Sequence, residues 1–129
     1  MTRHTVSTDK APAAIGPYAQ ANRAGSLVFT SGQIPLDPET GELTGTTIEE
    51  QTVRALENLK AILEAAGTSM DSVVKTTVFL ADMSDFAKMN EIYSSYFTGE
   101  MLPSRTTVEV SALPRKALVE IEAVALAAE

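Results

Sequence analysis

Hydrophobic residues along this chain switch between a period of two and a period near 3.6, and the switches outline the elements. Val73-Val74-Lys75-Thr76-Thr77-Val78-Phe79-Leu80 is the strongest strand signal: β-branched and nearly continuous, as expected of a central strand. Pro103 opens a second run, Ser104-Arg105-Thr106-Thr107-Val108-Glu109-Val110, and a proline is well placed at a strand start. Alternation there puts Arg105, Thr107 and Glu109 on one face and Thr106, Val108 and Val110 on the other. The second set reads as the core face. Ala117 to Leu126 alternates as well. One of its faces carries Leu118, Glu120, Glu122, Val124 and Leu126, the other Val119, Ile121, Ala123 and Ala125.

Two stretches carry helical spacing. Thr47 and Glu50 form a capping-box pair, followed by Val53, Leu56, Leu59, Ile62, Leu63 and Ala66, with Gly67 placed to end the helix. Asp82 or Ser84 can cap a second helix with the stripe Phe86, Met89, Tyr93, Tyr96 and Phe97, aromatics that read as core. Nearer the N-terminus the pattern predicts a short strand at His4 to Ser7 and a turn-rich loop at Lys10 to Pro17. A strand at Tyr18 to Ala21, a turn at Asn22 to Gly25 and a strand at Leu27 to Thr30 then read as a hairpin. Residues 36–45 read as a polar loop. The order β-β-β-α-β-α-β-β predicts an α+β fold, a mixed β-sheet with two helices packed on one face. The opposite face is expected to hold Arg105, the glutamates and alternating apolar residues, which suits oligomerisation.

Composition narrows the picture. The 129 residues predict one domain over 1–129, and an apolar fraction of 44% argues against disorder. Cysteine is absent, which removes disulfides and thiolate metal sites. No apolar run reaches the roughly 20 residues of a membrane span, and nothing at the N-terminus reads as a signal peptide, so the cytoplasm is the expected location. A net charge of −7, with ten scattered Lys and Arg and no basic run, argues against nucleic acid as a partner. The single histidine, His4, lies at the terminus, so a Ser/His or Cys/His catalytic pair is not expected.

Two features ask for a chemical reason. Arg105 stands at the mouth of a strand, where a fork of donors can grip a carboxylate. Glu120 and Glu122 lie on one face of an otherwise apolar strand, and burying either unpaired would cost several kcal/mol. Ser31-Gly32-Gln33 adds a loop where backbone can approach another group closely, and Asn90 is a polar residue at the edge of the second helix's stripe.

These pieces resemble the RidA/YjgF family (2-iminobutanoate/2-iminopropanoate deaminases, also described as endoribonuclease L-PSP-like). The resemblance rests on Ile15-Gly16-Pro17-Tyr18-Ala19-Gln20-Ala21, Thr30-Ser31-Gly32-Gln33-Ile34-Pro35, Pro103 to Val110 and Val119-Glu120-Ile121-Glu122-Ala123. Lys75 to Leu80 and the Asn90-Glu91-Ile92-Tyr93 helix match too. It runs from about residue 8 to residue 126, and its order and spacing make it specific. It implies a chorismate-mutase-like barrel, a homotrimer with clefts between subunits, and hydrolysis of enamine/imine intermediates such as 2-aminoacrylate to 2-oxo acids and ammonia. It implies no cofactor and no metal. Residue by residue, it makes Arg105 the holder of the substrate carboxylate and Glu120 the group that positions water, kept ionised by the arginine. Tyr18, Ser31, Gly32 and Asn90 become cleft residues. Thr107, where many members have cysteine, would meet substrate through its backbone. The loop before Pro103 is short for the family. Glu122 stays outside the catalytic set. Alternative readings are a non-catalytic binder of 2-oxo acids or amino acids, a ribonuclease or translation inhibitor, and, by fold alone, a chorismate mutase.

Overall fold

The computed structural model describes residues 2–128. Its strands are β1 (Arg3–Val6), β2 (Ala21–Ala24), β3 (Leu27–Thr30), β4 (Val73–Leu80), β5 (Ser104–Glu109) and β6 (Val119–Leu126), with helices α1 (Ile48–Ala65) and α2 (Phe86–Tyr96). They form one six-stranded sheet in the order β1-β2-β3-β6-β4-β5. The β4–β5 pair is parallel and every other pair antiparallel. This is the mixed α+β sheet that the pattern predicts. No helix among the described residues is long and apolar enough to cross a membrane.

α1 starts where the capping box places it. Thr47 Oγ1 accepts from the Glu50 amide, and the Glu50 carboxylate accepts from the Thr47 amide. Past the helix, Gly67 adopts a left-handed φ of 80°, which glycine tolerates best. Ala55, Leu56, Leu59, Ile62 and Leu63 of α1 meet Val78, Leu80, Val119, Ile121, Ala123 and Ala125 in a single core cluster. Val53, expected in that stripe, is exposed. α2 adds Met89, Tyr93 and Phe97, with the Tyr93 and Phe97 rings 4.5 Å apart. Asp82 caps a 3-10 turn at Met83–Asp85 rather than α2 itself, and that turn leads directly into the helix.

Three expectations change. The first hairpin pairs Ala21–Ala24 with Leu27–Thr30 and turns at Gly25-Ser26, so Tyr18 to Gln20 is loop and not strand. Four residues leaving a turn-rich loop are too few to separate a strand from its approach.

The core face of β5 is reversed as well. Arg105 pairs with Thr76, and Thr107 with Val78, both buried on the helix side. Thr106 and Val108 lie on the open face, where Val108 is exposed. Alternation says that a strand has two faces; it does not say which one is covered.

The third change follows from the second. Glu120 pairs with Phe79 and Glu122 with Thr77, on the open face. Thr76 and Phe79 are an odd number of residues apart, so Arg105 and Glu120 lie on opposite faces of the sheet.

Removing the cap tests the start of α1. Thr47→Ala should cost about 1 kcal/mol of stability. Urea unfolding should show a lower midpoint at unchanged m-value; an unchanged midpoint would mean that packing alone fixes the helix start.

Candidate functional site

Arg105 is the centre of one half of the site. Its guanidinium carbon sits 4.7 Å from the Tyr93 ring centroid and 5.4 Å from that of Phe86. These are cation–π distances, and the rings hold the planar fork flat. One nitrogen donates to Asn90 Oδ1 at 2.7 Å. Asn90 is therefore the arginine's anchor, at the wall of the cleft. Asn90, Tyr93, Ser94, Phe97, Leu102, Pro103 and Arg105 line an open cleft of about 400 Å³. Behind the rings the Tyr93 and Thr76 hydroxyls lie 2.7 Å apart. Burial raises the Tyr93 phenol above its ordinary value, against the lowering effects of Thr76 and Arg105, so the ring is neutral beside the cation.

Thr107 follows Arg105 on the helix side, and its hydroxyl is buried without a partner among the described residues. The Val110 amide donates to Leu80, so alternation turns the backbone groups of Arg105, Thr107 and Glu109 toward the unpaired edge of the sheet. The backbone of Thr107 is thus free to meet another group.

Glu120 is the centre of the other half, across the sheet. It lines a cleft of about 380 Å³ with Ile15, Tyr18, Ser31, Gly32, Gln33 and Pro114 among its walls. The wall is built from three fixings. Gln33 and Ile121 exchange two backbone bonds of 2.8 and 3.1 Å, which join the loop to β6 beside Glu120. The buried Gln20 side chain accepts from the Thr8 amide and donates to the Thr8 and Pro12 carbonyls, which gathers the 8–12 loop. Ser31 Oγ donates to the Ala19 carbonyl at 2.6 Å, so in the isolated chain this hydroxyl holds the wall. Tyr18 is 53% exposed, so it is not a core aromatic; its hydroxyl accepts from the Ile15 amide at 3.3 Å.

Among the described residues of the single chain, no arginine faces Glu120. Burial raises its carboxyl above the ordinary value, and Glu122 on the same face adds to the rise. A carboxylate of this kind is a better proton acceptor than a solvated one.

Sequence reasoning missed the support behind this wall. Asn58 is fully buried in α1; its amide donates to the Leu36 and Ile34 carbonyls, and its Oδ1 accepts from Arg54. A polar residue beside Leu59 and one helical turn before Ile62, on a buried stripe, was the available signal. Gln20 carried none, since its role depends on a loop folding back. The described residues contain no cluster able to hold a metal ion.

The fold is thus an α+β sheet with a braced arginine on one face and a half-buried glutamate on the other. The comparisons name its class. A family profile described as Endoribonuclease L-PSP matches residues 8–127, and the chain belongs to this family, the YjgF/RidA family. A RutC family protein of Pyrococcus abyssi is 57% identical over 97% of this chain and 98% of its own length. The mouse protein named 2-iminobutanoate/2-iminopropanoate deaminase is 52% identical over 96% of this chain and 91% of its own. Among solved structures, E. coli TdcF with bound serine is 45% identical with a TM-score of 0.91, covering 97% of this chain and 99% of that one.

The raised Glu120 carboxyl has a stability consequence. A folded state that holds this proton more tightly than the unfolded chain loses stability as pH rises from the ordinary carboxyl value through the raised one. Glu120→Gln removes that loss. The variant should melt above the wild type at pH 8, with the gap closing toward pH 4; a gap independent of pH would refute the assignment.

Proposed function

We propose that this protein hydrolyses 2-imino acids and their enamine tautomers to 2-oxo acids and ammonia, in clefts formed between the subunits of a homotrimer. The observation that carries this reading is the Arg105 fork. It is stacked on two rings and bonded through one nitrogen to Asn90, with its cleft open to a small carboxylate. Relatives at about half identity named as imine deaminases support the same reaction, the mouse protein and one from Salmonella typhimurium among them.

The chemistry asks little beyond placement. An enamine takes a proton at its β-carbon and loses one from nitrogen to become the imine. Water adds to the imine carbon, and the tetrahedral adduct expels ammonia to leave the 2-oxo acid. Arg105 fixes the carboxylate and so the imine carbon. Glu120 orients the water and takes its proton, then returns a proton to the leaving nitrogen. Tyr18, Ser31 and Gly32 shape the wall on the glutamate side, and the free backbone of Thr107 borders the carboxylate. No cofactor enters the scheme.

Arg105 and Glu120 lie on opposite faces of one sheet, so a single site containing both draws them from two copies of the chain. The open face bears Phe29, Val108 and Leu126, exposed apolar residues that a second copy would cover. Under this arrangement an Arg105→Ala chain and a Glu120→Ala chain complement each other. In randomly mixed trimers about a quarter of the clefts would draw both groups from intact chains.

The assay couples an amino-acid oxidase or threonine dehydratase to semicarbazide, which traps unhydrolysed imine. Wild type should suppress the semicarbazone, and Arg105→Ala should lower kcat/KM by roughly 100-fold or more. Co-refolding the two inactive variants should restore about a quarter of the wild-type rate. No suppression by wild type across several amino acids would favour a binding protein without turnover. Failure of complementation would place both groups in separate sites.

A further inference from the structure

We propose that Gly32 is a positioning residue for Glu120, its missing side chain forming the seat in which the glutamate side chain lies. This rests on the reading above, in which Glu120 handles the attacking water. A Cβ built on Gly32 would overlap Glu120 Oε2 and stand 2.8 Å from Cδ and 3.0 Å from Cγ. The glutamate therefore fills the space where any other residue would place its side chain. Gly32 is not among the positive-φ residues, so this position needs glycine for room and not for backbone freedom.

Neither partner can yield by moving its backbone. The Ser31 amide donates to Gln20 O at 2.9 Å and its hydroxyl to Ala19 O at 2.6 Å. On the other side of Gly32, Gln33 is locked to Ile121, the residue after Glu120, by two backbone bonds. The loop and the strand are thus pinned immediately beside the contact. A methyl group added at residue 32 must be answered by the Glu120 side chain, which swings off its seat toward solvent. The Arg105 half, on the opposite face, has no part in the contact.

The charged and titratable groups around the Glu120 carboxyl are Glu122 on its own strand, Tyr18 on the loop wall and, in the shared cleft proposed above, Arg105 of a second copy. None of them changes in a Gly32 variant, so a shift in Glu120's titration reports its displacement.

The test uses four full-length proteins: wild type, Gly32→Ala, Glu120→Asp and the double variant. Gly32→Ala should lower kcat at least about tenfold with KM within roughly twofold, since the carboxylate grip is untouched. Aspartate is one methylene shorter and withdraws from the added methyl. The double variant should therefore be more active than the product of the two single losses, a non-additivity that contact predicts. The independent readout is NMR of protein carrying 13C at the glutamate carboxyls, with the Glu120 signal assigned by its loss in Glu120→Gln. In Gly32→Ala its titration midpoint should move to lower pH. An unshifted midpoint together with additive losses would overturn the proposal. If wild type hydrolyses no imine while the midpoint still moves, the seat stands and the deaminase reading falls.

Discussion

A β-strand must send neighbouring residues to opposite faces, and this constraint governs the whole protein. On β6 it gives Val119, Ile121, Ala123 and Ala125 to the core and leaves Glu120 and Glu122 outside it. On β5 it delivers Arg105 to the helix side, beneath the α2 rings. The fold cannot bring the two groups together by adjusting a rotamer, since a sheet lies between them. A one-residue slip of either strand would exchange every core residue for a surface one, so the separation is as secure as the core itself. Chemistry that needs both groups then requires more than one chain.

The two halves solve different electrostatic problems. Arginine remains charged at any working pH, so its half needs orientation, which two rings and Asn90 provide. Glutamate can change state, and partial burial beside a second carboxylate makes the proton harder to lose. Neither condition calls for a strained backbone at Arg105 or Glu120. The strain lies elsewhere, in the consecutive left-handed residues Arg115 and Lys116, just past Pro114 at the edge of the glutamate cleft.

The element order, the capping box at Thr47 and the central strand were legible in the sequence because each rests on a local signal. The faces of β5 were not. Thr106 and Val108 look like core by hydropathy, and only the position of α2, fixed by long-range packing, shows Arg105 and Thr107 to be the covered pair. The shifted hairpin is a similar case, since Gly25-Ser26 turns a strand whose residues Asn22 and Arg23 are poor strand formers held in place by their pairing. Asn58 and Gln20 escaped notice because their partners are carbonyls of distant loops, which carry no residue identity for a sequence to reveal.

The Gln33–Ile121 exchange makes the glutamate wall part of β6, which has a strand on either side. Opening that wall means opening the middle of the sheet. Arg105 rides on β5, paired on one side only, at the border of the sheet. The two halves therefore belong to different tiers of local unfolding, one tied to the global transition and one free to fray far more often. Under the proposed reaction, breathing at the border would admit and release small molecules at the arginine while the glutamate side keeps its shape, so traffic and chemistry would run on separate clocks.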